Sequence, residues 1–234
     1  MNENTDLVTI SQMGYKNGFK TIFRDLNLNL GYGKIIALLG ENGAGKTTMM
    51  RILANIAKNS TGVVKIEGDF VGFATKSKVS YLDALSGFQK SEKLKDVIEF
   101  YQTMYADFDR ERVNELMKFM KLDLDEKLGS LSKGNREKFM LVVAFSRVVP
   151  LYLLDEPLSG VDIVARNKII QSLIKWLNED SSIVISTHHI VEIERIVDEV
   201  VVMKDQEIII HKSVDEIRQE SANSLEDYYR KIYS

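Results

Sequence analysis

The chain has 234 residues, 44% of them hydrophobic, a formal charge of −3 and no cysteine. That length and apolar content suffice for one substantial core, while the missing cysteines exclude a disulfide framework and a thiolate metal site. The small net charge offers no global basic field for nucleic acid, and the polar, acidic start from Met1 to Asp6 lacks the basic-then-apolar pattern of a signal peptide.

Leu7 to Met13 and Thr21 to Leu30 read as strands, with Ile22, Leu26, Leu28 and Leu30 mostly alternating with polar neighbours. Gly31 and Gly33 turn the chain into a continuous apolar run from Ile35 to Leu39. That run ends in Gly40-Glu41-Asn42-Gly43-Ala44-Gly45-Lys46-Thr47-Thr48, which fits Gly-x-x-x-x-Gly-Lys-[Ser/Thr], and Met49, Met50, Ile52, Leu53 and Ile56 continue at helical spacing. Glycines let backbone N–H groups curl round phosphate oxygens, and the following helix turns its positive end toward the same anion. Lys46 is expected to reach the β- and γ-phosphates of a nucleotide and Thr47 to ligate Mg2+; Asn42, Gly43, Ala44, Gly45 and Thr48 complete the binding loop.

Val63 to Ile66 and Lys78 to Leu82 are short strands, and the pattern from Lys93 to about Met120 is helical. After Leu131, the polar Ser132-Lys133-Gly134-Asn135 opens an apolar helix expected to run through Val148 until Pro150 stops it. The apolar stretch Phe139 to Val149 is broken by Ser146 and Arg147, short of the roughly 20 residues that span a bilayer, so a soluble, cytoplasmic chain is expected. Leu151 to Leu154 and Ile183 to Ser186 are buried strands with helix between them, the alternation of a parallel sheet, whose ligands gather at the strands' carboxyl ends. Val200 to Met203 and Ile208 to His211 form a last strand pair, and the tail (213–234) reads as one or two short surface helices without chemistry.

Asp155 and Glu156 stand at one such strand end. Asp155 is placed to hold magnesium and Glu156 to orient and deprotonate the water that attacks the γ-phosphate; the competing reading is an acidic pair that caps the next helix. His188, after the next strand, is on its residue type alone more often a structural hydrogen-bonding histidine than a catalytic one. His189 and His211 carry no functional case.

From about Tyr15 to Glu216 the chain resembles the nucleotide-binding subunits of ABC transporters. Leu131-Ser132-Lys133-Gly134-Asn135 resembles the family's Leu-Ser-Gly-Gly-Gln signature, keeping Ser132 and Gly134 but substituting Lys133 and Asn135. Leu158-Ser159-Gly160-Val161-Asp162 looks like its D-loop and Ser186-Thr187-His188 like its switch-histidine segment. The resemblance implies an α/β P-loop NTPase fold of ABC type, a mixed core sheet with an N-terminal antiparallel β-subdomain and a helical subdomain at about 83–145, all in one domain, 1–234. It further implies an ATPase that works as a homo- or heterodimer, each signature covering the partner's ATP, so that Ser132, Gly134 and Asp162 join the nucleotide site and His188 contacts the γ-phosphate. A separate transmembrane permease would hold it at the inner face of the cell membrane.

Tyr15 resembles the aromatic residue that stacks on adenine, with Phe19 as a rival. The family's glutamine after the Val79 to Leu82 strand falls on Ala84, beside Asp83, with Gln89 further on. Phe88, Tyr101 and Tyr105 are either a permease-docking groove or ordinary core. The wording of Ser-Lys-Gly and Asp-Glu-Pro-Leu-Ser-Gly-Val-Asp resembles compact bacterial exporters of antibiotics, antimicrobial peptides and phenol-soluble modulins, which implies export, with amphipathic peptides as cargo. The alternative is a soluble ABC ATPase acting on the ribosome or DNA, where no nucleic-acid partner is expected for the leading reading.

Overall fold

The alternating and the continuous apolar patterns belong to two different sheets in the computed structural model, which describes residues 6–82, 85, 87–221 and 224–233. In chain order the strands are β1 (Val8–Asn17), β2 (Lys20–Leu30), β3 (Ile35–Gly40), β4 (Thr61–Ile66), β5 (Asp69–Phe70), β6 (Val79–Tyr81), β7 (Leu151–Asp155), β8 (Ser182–Ser186), β9 (Glu199–Lys204) and β10 (Glu207–Ser213). The α-helices are α1 (Lys46–Leu53), α2 (Leu94–Met104), α3 (Arg110–Met120), α4 (Lys133–Phe145), α5 (Ile163–Trp176), α6 (Ile190–Ile193), α7 (Val214–Ser221) and α8 (Leu225–Tyr233).

Strands β2-β1-β4-β5 make an antiparallel sheet, and β10-β9-β3-β8-β7-β6 a mixed sheet in which β10 alone runs antiparallel to its neighbour. In β2, Leu26, Leu28 and Leu30 are buried while Asn27 and Asn29 are exposed, as a sheet with one wet face requires. In β3 both faces are covered. Ile35, Ala37 and Leu39 pack with the helical side, and Ile36 and Leu38 with α1 and the antiparallel sheet, so the whole run must be apolar. Tyr152 and Leu154 against Leu151 and Leu153 repeat this division in β7.

The helical stretch from Lys93 to Met120 is two helices, α2 and α3. Asp109 starts the second by accepting hydrogen bonds from Glu111 N (2.8 Å) and Arg112 N (3.1 Å). Helix α4 corrects the sequence reading: it ends at Phe145, not at Pro150. Ser146 Oγ turns back onto Val142 O (2.7 Å), and the next residues pair with the α2–α3 connection through Val148 N to Asp107 O (2.9 Å) and Asp109 N to Ser146 O (2.7 Å). A tertiary pairing therefore ends the helix before proline can. The tail is two helices and is not only surface: Leu225 is buried, its N–H bonds Glu194 Oε1 (3.0 Å), and Lys204 Nζ bonds Ile232 O (2.8 Å). No helix among the described residues is long and apolar enough to cross a membrane.

Candidate active site

The parallel register of β3, β8 and β7 carries three polar strand ends to one edge. Ser186 stands opposite Leu38 of β3 on one side and Asp155 of β7 on the other, so the loop after Gly40 and the Asp155-Glu156 pair meet across the end of β8. Between them opens a cavity of 330 Å³ lined by Asn42, Gly43, Gly45, Lys46, Thr47, Thr48, Asp155 and Glu156, with Lys20 and Ile22 from β2.

Gly45 precedes α1 with φ 103°, and a Cβ there would lie 2.3 Å from Phe23 Cε1, so both backbone and space demand glycine. Helix α1 differs from α3, α4 and α5, which Asp109, Ser132 and Asp162 cap with side-chain oxygens. Its first turn has no side-chain cap and no acidic residue. The free first-turn amides and the macrodipole therefore point at the cavity, which suits a phosphate.

Lys46 is buried, and its ammonium donates to Gly40 O (2.7 Å) and Glu41 O (3.2 Å). Burial pulls its pKa below the usual lysine value, against the opposing pull of the Glu156 and Asp155 carboxylates. Ser186 Oγ donates to Asp155 Oδ1, while Glu156 N–H is shared between Ser186 O and Oγ at 3.0 Å each. Glu156 sits at φ 52°, a strained setting for a residue with a side chain that its doubly bonded amide holds in place. Its Oε2 is 2.9 Å from His188 Nδ1, and the imidazole is otherwise 61% exposed.

Thr47 hydroxyl and Asp155 carboxylate are hard oxygen donors in the same cavity, the type that suits magnesium, and the uncapped α1 suits the phosphates beside it. Residues 23–159 match the family described as ABC transporter. The chain belongs to that family. It is 29% identical over 217 residues to the ABC transporter ATP-binding protein YtrB of Bacillus subtilis (strain 168), covering 92% of this chain and 74% of that protein. It is 25% identical over 210 residues to the lantibiotic transport ATP-binding protein SrtF of Streptococcus pyogenes, covering 89% and 92%. A solved ATP-binding subunit of an ABC transporter superposes with a TM-score of 0.87 at 23% identity over 97% of this chain and 100% of that one, a likeness of fold.

In this ABC transporter ATP-binding subunit the other sequence assignments fall in different places. Ala44 lines a second groove of 220 Å³ beside the first, with Glu41, Lys204 and Gln206. Tyr15 lines neither; it stands opposite Phe23 with ring centroids 6.3 Å apart, and its rival Phe19 is fully exposed at the hairpin turn. The β2 side chains at the cavity are Lys20 and Ile22, which sequence reasoning missed because a hairpin register decides which residues face the loop.

Ser132, Gly134 and Asp162 form a separate cluster outside the cavity. Ser132 Oγ accepts from Asn135 N (3.2 Å), and Asp162 Oδ1 from Val164 N and Ala165 N (2.9 Å each). Asp83 and Ala84 lie outside the described residues, and Gln89 is exposed in the turn before α2. Phe88, Tyr101 and Tyr105 are half-buried and stacked on the core, with centroids 6.0 and 5.8 Å apart along the row, and Tyr101 and Tyr105 line a 220 Å³ cavity with Leu82 and Arg147. Ser186 entered the sequence reading only as part of the switch-histidine segment, and His189 as a residue without a functional case. Ser186 links Asp155 to Glu156, and the His189 ring packs 4.1 Å from His188, its pKa lowered mainly by burial.

Proposed function

We propose that this subunit hydrolyses ATP as half of a head-to-tail dimer, with an identical or related chain, and that the opening of the dimer drives a separate membrane permease. The observation that carries the reading is the convergence of Lys46, Thr47, Asp155 and Glu156 on one cavity, with His188 hydrogen-bonded to Glu156. Lys46 exchanges the carbonyls of Gly40 and Glu41 for the β- and γ-phosphates. Glu156, held by its backbone, orients a water and takes its proton, while His188 positions the carboxylate and reaches the γ-phosphate. Thr47 and Asp155 would hold magnesium, which neutralises phosphate charge when bound.

Dimerisation is supported by Ser132 and Gly134 standing outside their own chain's cavity, and by Ile163 and Val164, which are 70% and 67% exposed at the start of α5. The cavity at Tyr101 and Tyr105, bordered in sequence by the exposed Phe100 and Met104, suits a cytoplasmic helix of the permease. Export of amphipathic peptides is the cargo assignment, supported by the likeness to a protein named for lantibiotic transport. The chain would then sit on the cytoplasmic face of the membrane.

Glu156→Gln keeps the shape of the side chain and removes the base. Turnover is expected to fall by about 10²- to 10⁴-fold with ATP binding retained. Hydrolysis by the variant at the wild-type rate would remove Glu156 from this role.

A further inference from the structure

Where the resembling signature has its first glycine, this chain carries Lys133, and the side chain does not extend freely from the start of α4. It lies along the bare α-carbon of Gly160. A Cβ built on Gly160 would meet Lys133 Nζ at 2.0 Å, Cε at 2.9 Å and Cδ at 3.4 Å. Beside it, a Cβ built on Gly134 would come within 3.1 Å of Ala165 Cβ and 3.2 Å of Asp162 Oδ2, and that carboxylate is fixed by its two bonds to the α5 backbone. The start of α4 and the segment from Gly160 to Ala165 are thus fitted together at two adjacent points.

That segment begins at Glu156. Ser159 N bonds Glu156 O (3.0 Å), Leu158 and Val161 are buried on the inner side, and Gly160 is exposed on the outer side, where the end of the Lys133 side chain reaches it. We propose that Lys133 is a positioning residue that ties the signature helix to the turn carrying Glu156. The inference rests on the proposed ATPase reading. In a head-to-tail pair the signature of one chain serves the partner's nucleotide while Glu156 serves its own, so a Lys133–Gly160 contact inside one chain links the two sites. The ammonium makes the nearest approach and Cε follows it, so the contact depends on how far the side chain at position 133 reaches.

The experiment is steady-state ATP hydrolysis by the full chain with Lys133→Ala, Lys133→Met, Gly160→Ala and the double variant K133A/G160A. Loosening the turn misplaces the base without touching the phosphate loop, so K133A should lower kcat about tenfold and leave KM for ATP within about twofold. K133M, whose terminal methyl reaches about as far as the lysine Cε, should retain most of the turnover. G160A should lose more than K133A, because φ is +68° there, a strained setting for alanine, and the new methyl displaces the end of the lysine; adding K133A should cost little more, because the lysine contact is already gone.

Unchanged kcat in K133A, or equal losses in K133A and K133M, overturns the positioning role while the ATPase reading stands. A wild-type chain that turns over no ATP overturns both. If G160A does not fold, K133A and K133M decide the matter between them.

Discussion

Arg147 is a residue whose removal should cost this fold heavily. Only 5% exposed, it donates Nε and Nη2 to the two oxygens of Asp107 (2.7 Å each), Nη1 to Val79 O (2.6 Å) and Nη2 to Lys76 O (2.9 Å), with its guanidinium 3.9 Å from the Tyr105 ring centroid. It fastens the α2–α3 connection to β6 and to the turn before it. Arg147→Met fills most of the volume but strands the Asp107 carboxylate, whose side chain is 18% exposed, and two carbonyls. Breaking a buried pair in this way costs about 3–5 kcal/mol. Asp107→Asn leaves one acceptor oxygen and should cost about 1–2 kcal/mol.

The double variant R147M/D107L removes the stranded charge and should recover about 1–2 kcal/mol of the R147M loss. It should remain below wild type, because the carbonyls of Val79 and Lys76 still lack their donor. Equilibrium urea denaturation of the four proteins measures each value. An R147M loss below about 1 kcal/mol, or a double variant no more stable than R147M, refutes the assignment of that energy to the ion pair.

A second prediction concerns Glu199, which the His211 hydrogen bond and then the Lys34 ammonium hold down at about 2, against the cost of burial. Because the folded pKa lies below the ordinary carboxylate value of 4.5, its stabilisation is complete above pH 4.5 and is lost as pH falls toward about 2. Glu199→Gln should therefore lower stability at pH 7 and flatten the acid limb of a stability–pH profile; a limb of unchanged slope would contradict this. Gly45→Ala, forced to φ 103° with its methyl 2.3 Å from Phe23 Cε1, should reduce ATP affinity by at least tenfold in equilibrium titration, and wild-type affinity would show that the loop tolerates a side chain.

Much of the site was legible because its parts are contiguous in sequence. The loop from Gly40 to Thr48 declares itself through glycines between an apolar strand and a helix, and Asp155-Glu156 through an acidic pair that ends a buried run. The helix boundary at Phe145 was misread because proline is a local stop signal, whereas the stop here is a pairing with residues 107–109, distant in sequence. Lys20 and Ile22 could not be read as cavity residues, because the hairpin register decides which β2 side chains face the loop.

The sequence by itself determined that β3, β7 and β8 are buried strands whose polar ends gather at one edge, because continuous apolar runs suit a sheet covered on both faces and a glycine-rich turn suits a tight loop at the strand end. Only the tertiary structure decided which distant groups complete each local motif: Ser186 between Asp155 and Glu156, His188 on Glu156, Arg147 on Asp107, and Lys133 on Gly160. Those partners are chosen by sheet order and helix packing, and a side chain's type records what it can bond but not which strand or turn will arrive beside it.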